Sequence, residues 1–131
     1  MHRSRLAGFI IDCQTDDLDA AADFWSAALG YRRKDTPGDN YEGLETPDGE
    51  PYLEVQTVDH PGRIHLDIET DNIEAEVQRL EALGAQRIAE VESWVVMEAP
   101  TGQRFCVTRH GHKYFDETAN SWDQKENNND K

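Results

Sequence analysis

The sequence predicts an α+β fold built from two tandem βαβββ modules, and three observations carry that prediction. The first is an internal repeat. Ile10-Ile11-Asp12-Cys13-Gln14-Thr15-Asp16-Asp17-Leu18 is echoed by His65-Leu66-Asp67-Ile68-Glu69-Thr70-Asp71-Asn72-Ile73. Ala28-Leu29-Gly30 then answers Ala82-Leu83-Gly84, and Pro47-Asp48-Gly49 answers Pro100-Thr101-Gly102. The second is the pattern inside each copy, where alternating apolar residues give way to helical spacing and then return. The third is length. At 131 residues the chain is large enough for one domain with a real core, and a period near half of it means two copies of one unit rather than a solenoid.

The elements follow in order. Gly8 to Gln14 reads as a strand ending at polar Thr15-Asp16. Asp16 or Asp17 caps a helix running to Leu29, with Leu18, Ala21, Ala22, Trp25 and Leu29 on one face and Gly30 supplying the left-handed terminus. Tyr31 to Asp35, Asn40 to Glu45 and Tyr52 to Val58 read as strands, separated by turns at Pro37-Gly38-Asp39 and Pro47-Asp48-Gly49. Asp59-His60-Pro61-Gly62 links the copies.

The second copy gives a strand at Ile64 to Glu69 and a helix at Asn72 to Leu83 with Ile73, Val77 and Leu80 inward. Strands follow at Arg87 to Val91, Trp94 to Glu98 and Arg104 to Thr108. One domain is expected over residues 1–109, with module one at 8–58 and module two at 64–109. Residues 110–131 are rich in Asn, Asp, Lys and Glu and are expected to form a mobile tail, with Phe115 and Trp122 able to dock it.

Strand alternation sorts the side chains. Ile11, Cys13, Leu53, Val55, Leu66, Ile68, Phe105 and Val107 form an apolar face for the helices to cover. Ile10, Asp12, Gln14, Tyr52, Glu54, Gln56, His65, Asp67, Glu69, Arg104, Cys106 and Thr108 form a polar face, which is either solvated or lines a cleft. Cys13 and Cys106 fall on opposite faces, so reduced thiols are expected rather than a disulfide.

The formal net charge of −14 argues against nucleic acid and anionic membranes, which need a basic footprint. It permits a cationic ligand, and it equally describes a solvated acidic surface. No stretch has the apolar length of a signal peptide or a membrane span, so a soluble, cytoplasmic chain is expected.

Several segments resemble a known family. They are Ile11-Asp12-Cys13 with Leu18 and Phe24-Trp25, His65-Leu66-Asp67-Ile68, Leu80-Glu81-Ala82-Leu83-Gly84-Ala85, Trp94-Val95-Val96-Met97 and Pro100-Thr101-Gly102-Gln103-Arg104-Phe105-Cys106-Val107. Together they resemble the glyoxalase-like branch of the vicinal oxygen chelate superfamily. That superfamily includes glyoxalase I, extradiol dioxygenases, and fosfomycin-resistance and bleomycin-binding proteins. The resemblance covers residues 8–109 and specifies fold better than activity.

It implies a curved mixed sheet around a cup, often in a homodimer. In metal-using members each module supplies one ligand from its first strand and one from its last. His65 matches one such position, Cys106 and Glu54 match two more, and Ile10 leaves the fourth without a donor. Glu54, His65 and Cys106 are therefore the expected metal set, three ligand types that suit Zn²⁺. The expected cup lining is Asp12, Gln14, Tyr52, Glu54, Gln56, His65, Asp67, Trp94 and Cys106. Asp12 and Asp67, the identical pair of the repeat, either form an acidic pair or hold the strands in register. Phe24 and Trp25 are expected in the core.

Two functions follow from the resemblance. One is a small-molecule binder with a polar acidic cup and no cofactor, similar to bleomycin-binding proteins. The other is a lyase or isomerase resembling glyoxalase I, dependent on Zn, Ni, Mn or Fe.

Overall fold

The computed structural model describes residues 1–34 and 40–122. Eight strands and three helices lie among these residues, in mixed parallel and antiparallel pairings, as an α+β chain. The chain forms two compact units, one of residues Gly8–His65 and one of Leu66–Lys131 together with Met1–Ala7.

In the first unit the latter part of strand β1 (His2–Gln14) runs parallel to β3 (Tyr52–Val58), and β2 (Tyr41–Leu44) pairs antiparallel with β3. Gly8 stands directly opposite Tyr52. A Cβ at that position would lie 2.2 Å from the Tyr52 ring and 2.5 Å from its carbonyl oxygen, so only glycine allows the strands to meet there. Helix α1 (Leu18–Leu29) starts where Asp17 accepts the Ala20 N–H at 3.0 Å, and it stops at Gly30, whose φ of 78° is the left-handed cap expected. Ala22, Leu44 and Val55 are fully buried.

Two expectations fail in this unit. The strand placed at Tyr31 to Asp35 is reduced to an isolated bridge between Arg33 and Leu44. The backbone still bonds to β2 at that bridge, Lys34 N donating to the Gly43 carbonyl at 3.0 Å and Glu45 N to the Arg32 carbonyl at 2.8 Å, and Glu42, Asp19 and Asp23 engage the Arg33 guanidinium beside it. Asp35 and the turn Pro37-Gly38-Asp39 lie outside the described residues. Phe24, expected in the core, is 61% exposed, because it leaves the inward stripe of α1 and packs edge-on against Trp25 instead.

In the second unit, β4 (Arg63–Thr70) pairs parallel with β7 (Arg104–Arg109) from Leu66 onward. β7 pairs antiparallel with β6 (Trp94–Glu98), and β6 with β5 (Gln86–Val91). Helix α2 (Ile73–Ala82) is capped by Asn72, which accepts the Ala75 N–H at 3.0 Å. Its inward residues Val77 and Leu80 join Val95, Met97, Phe105 and Val107 in a continuous apolar core, with Ile68 and Ile73 packed beside it. Leu66 departs from the expected apolar set and is 42% exposed, since pairing with β7 only begins at that residue.

The predicted mobile tail is corrected over residues 110–122. These carry helix α3 (Phe115–Thr118) and strand β8 (Asn120–Trp122), which pairs antiparallel with His2–Ser4 of β1. Burial of Phe115 and the ladder to β1 supply what the polar composition lacks. Residues 123–131 of that tail lie outside the described residues. No described helix is long and apolar enough to cross a membrane.

Candidate functional site

The polar face reads differently in three dimensions. Alternation along β1 and β4 was expected to set Asp12, Asp67 and Glu69 on a solvated face or in a cleft, and all three side chains are buried. A buried carboxylate must find donors or become costly, so the partners of each acid define what the face can do.

Asp12 is the centre of the first unit's polar cluster. Its side chain is 2% exposed, and Oδ2 accepts a hydrogen bond from His65 Nδ1 at 2.8 Å. Arg63 Nε lies 3.5 Å from the same oxygen. Oδ1 is buried with no hydrogen-bond partner among the described residues, an arrangement worth about 1–3 kcal/mol of unfavourable desolvation until a donor reaches it. The Asp12 bond holds the His65 proton on Nδ1 and turns Nε2 into the acceptor of the ring. The repeated aspartates were expected to pair with each other or to pin strand register. Asp12 on β1 accepts a hydrogen bond from His65 on the neighbouring β4, and in doing so orients an imidazole.

The other expected residues fall as follows. Glu54 is half-buried on β3, opposite Ile10 on one side and Gly43 on the other, and Ile10 itself is buried. Gln56 is half-buried opposite Asp12 and Tyr41. Tyr52 covers Gly8. Gln14 is exposed and donates to the Asp59 carbonyl at 3.4 Å. It lines an open groove of about 710 Å³ at the carboxyl ends of β1 and β3, together with Asp16, Asn40, Thr57, Asp59 and His60. Trp94 begins β6 opposite Val91. Cys106 is a half-buried free thiol in register with Asp67.

The expected metal set is divided between the units, Glu54 and His65 lying in the first and Cys106 in the second. Imidazole, carboxylate and thiolate are ligand types for Zn²⁺, and an imidazole fixed from behind by a carboxylate is the usual supporting arrangement for such a ligand.

Sequence reasoning missed Arg63 and the acids of the groove. Arg63 was legible: it precedes His65 by two residues and so shares its strand face. Asp16 and Asp59 sit in loops, where alternation gives no signal.

Cys13 confirms its place under α1. Burial pushes its thiol up from the ordinary value, partly offset by a hydrogen bond with Trp25, and its Sγ donates to the Ile11 carbonyl. A thiol held this way is a packed hydrophobe rather than a nucleophile.

A tandem repeat of strand–helix–strand units, carrying an acid-held histidine at the start of its second copy, defines a class of small α+β proteins rather than one reaction. The family is settled by sequence: the Glyoxalase-like domain matches residues 8–108, and the chain belongs to that family. No curated protein matched the sequence. Among solved structures, a hypothetical protein from Bacillus halodurans shares the fold at 18% identity and a TM-score of 0.57, over 82% of this chain and 96% of the other. A glyoxalase/bleomycin resistance protein/dioxygenase family enzyme from Burkholderia phytofirmans matches at 16% identity and a TM-score of 0.33, over 75% and 94%. A bleomycin-binding protein from Streptomyces verticillus, complexed with copper(II)-bleomycin, matches at 15% identity and a TM-score of 0.31, over 82% and 98%. The last two superpose too loosely to carry an argument about a site.

Proposed function

We propose that this glyoxalase-like protein binds a small, hydrogen-bond-donating or cationic molecule and needs no metal to do so. The observation that carries this reading is Asp12, a buried carboxylate with one oxygen spent on His65 and the other lacking a donor among the described residues. Two features support it. Ile10 puts a buried aliphatic group where the family resemblance calls for a metal ligand, and the formal charge of −14 favours a cationic guest. Thermal-shift screening against cationic antibiotics and polyamines tests the reading. A ligand should raise Tm in the intact protein, and Asp12→Asn should weaken its binding by about tenfold, the usual worth of a charge-assisted hydrogen bond. A panel without any stabilisation would sink the reading.

A second reading, metal-assisted lyase or isomerase chemistry, is favoured by the His65 imidazole that Asp12 holds in a fixed orientation. There the metal would polarise a carbonyl oxygen, while Asp12 held the His65 ring in its ligating orientation. Elemental analysis of protein purified without chelator decides this. Stoichiometric Zn, Ni, Mn or Fe that is lost in Cys106→Ala supports it, and no uptake on titration removes it.

A further inference from the structure

The start of β4 brings an arginine against the buried carboxylate of β1. A Cβ at Gly62 would lie 3.1 Å from the Asp12 carbonyl oxygen, so glycine lets the chain run close to β1 there. The next residue, Arg63, shares its strand face with His65, and its Nε stands 3.5 Å from Asp12 Oδ2. The partners in that contact have unlike surroundings. The Asp12 side chain is 2% exposed, whereas that of Arg63 is 47% exposed.

This contact does not account for Arg63. At 3.5 Å it is longer than an ordinary N–H···O bond, and an ion pair with one partner half in water contributes little. His65 answers the Asp12 carboxylate at shorter range, 2.8 Å. The Nη1 and Nη2 ends of the Arg63 guanidinium meet no acceptor among the described residues. A fork of uncommitted donors therefore stands beside Asp12 Oδ1, a buried acceptor without a donor among the described residues.

Asp12 alone would suit any cation. The guanidinium beside it narrows the choice, because a purely cationic guest would meet Arg63 as a like charge. A purely anionic guest would meet Asp12 in the same way. The pair is complementary to a molecule that carries both signs within a few bonds. The planar fork of arginine matches a carboxylate through parallel N–H···O bonds, and a carboxylate accepts strongly from an ammonium group. An α-amino acid carries both groups on one carbon.

We propose, resting on the reading of Asp12 as an acceptor for the ligand, that Asp12 and Arg63 form a receptor for the head group of a free α-amino acid. The carboxylate sits on Arg63 and the ammonium on Asp12 Oδ1. Gln56, in register with Asp12 on β3, adds a neutral amide to the same face. Lys34 also reaches this face, since a Cβ at Gly43 would lie 2.9 Å from Lys34 Cδ and 3.6 Å from its Nζ. Gly43 pairs with Glu54, however, and so lies on the far side of β3 from Asp12. That is two strand spacings, about 10 Å, and more than one amino-acid head group spans.

Calorimetric titration of the intact protein tests this with the common amino acids. Each is set against the amine it would give on losing its carboxylate, such as lysine with cadaverine and arginine with agmatine. At least one amino acid should bind about tenfold more tightly than its amine, the usual size of a charge-assisted contact. Arg63→Gln should bring the two to one affinity without lowering Tm in the absence of ligand. Arg63→Lys should restore part of the preference, because it keeps the charge and loses the fork. Lys34→Met should leave the preference intact, and Asp12→Asn should weaken both ligands. Amines that bind as tightly as their amino acids overturn the proposal and leave the reading of Asp12 standing. A panel in which neither class binds overturns both. Equal weakening of both ligands in Arg63→Gln also overturns the proposal, because Arg63 would then act only through Asp12.

Discussion

The two modules descend from one pattern, yet they stabilise themselves by different means. Module two stacks six buried apolar side chains, Val77, Leu80, Val95, Met97, Phe105 and Val107, into one cluster under α2. Module one buries fewer large groups and leaves Phe24 and Leu29 of α1 exposed. Arg33 ties α1 to β2 through Asp19, Asp23 and the buried Glu42. Three carboxylates around Arg33, with the Glu42 hydrogen bond the strongest influence, push its pKa further above the ordinary guanidinium value. The difference teaches that a duplicated backbone plan does not dictate a duplicated source of stability. Both copies tie a helix to a neighbouring segment through one arginine, Arg87 meeting Glu74 and Glu81 of α2 in module two, and what differs is the amount of apolar packing beside that tie.

The largest test of that contrast is in the cores. Met97→Ala should cost about 4 kcal/mol in urea unfolding, near the upper part of the usual range for a fully buried methionine, because neighbours on all sides cannot relax into the gap. Leu44→Ala in module one should cost less, about 2–3 kcal/mol, since module one buries fewer large apolar side chains. Equal losses would end the claim that packing is concentrated in module two.

Next come the buried acids. Glu76→Gln should destabilise by about 3 kcal/mol, because it strips charge from a group that serves His2 and Arg79 at once. Glu42→Gln should cost about 2 kcal/mol, because Arg33 keeps Asp19 and Asp23. Acid titration sharpens this. Burial pushes the Glu76 carboxyl up, but hydrogen bonds from Arg79, His2 and Ser4 outweigh it and hold the group below its ordinary value of 4.5. A carboxylate with a lowered folded pKa contributes stability above its unfolded value and loses it as pH falls through the folded one. Stability should therefore drop below about pH 4.5, and Glu76→Gln should flatten that part of the curve.

The smallest effects should be equal. Asp17→Ala and Asn72→Ala each remove one N-cap acceptor and should each cost about 1 kcal/mol. A twofold difference between them would show that the modules diverge even in their local signals.

Local signals are what the sequence displayed most clearly. The strands Tyr52–Val58 and Trp94–Glu98 begin and end where alternation put them, and both helix caps are the residues that capping chemistry selects. Long-range pairing was harder to read. Parity put Asp12 and His65 on one face, but only the folded arrangement shows that one orients the other. The segment after His110 looked mobile because its order comes from Ser4, Glu69 and Arg79, all distant in sequence. The segment around Arg33 was read as a full strand, and it does bond to β2, but only around the single bridge from Arg33 to Leu44, a limit that alternation could not show.

Strand β8 has a consequence beyond its own anchoring. It occupies the backbone edge of His2–Ser4, and an open strand edge is a template for any other extended chain. Three residues, Asn120 to Trp122, thus close that edge. A protease cut just before them would turn a quiet surface into an adhesive one without touching the core.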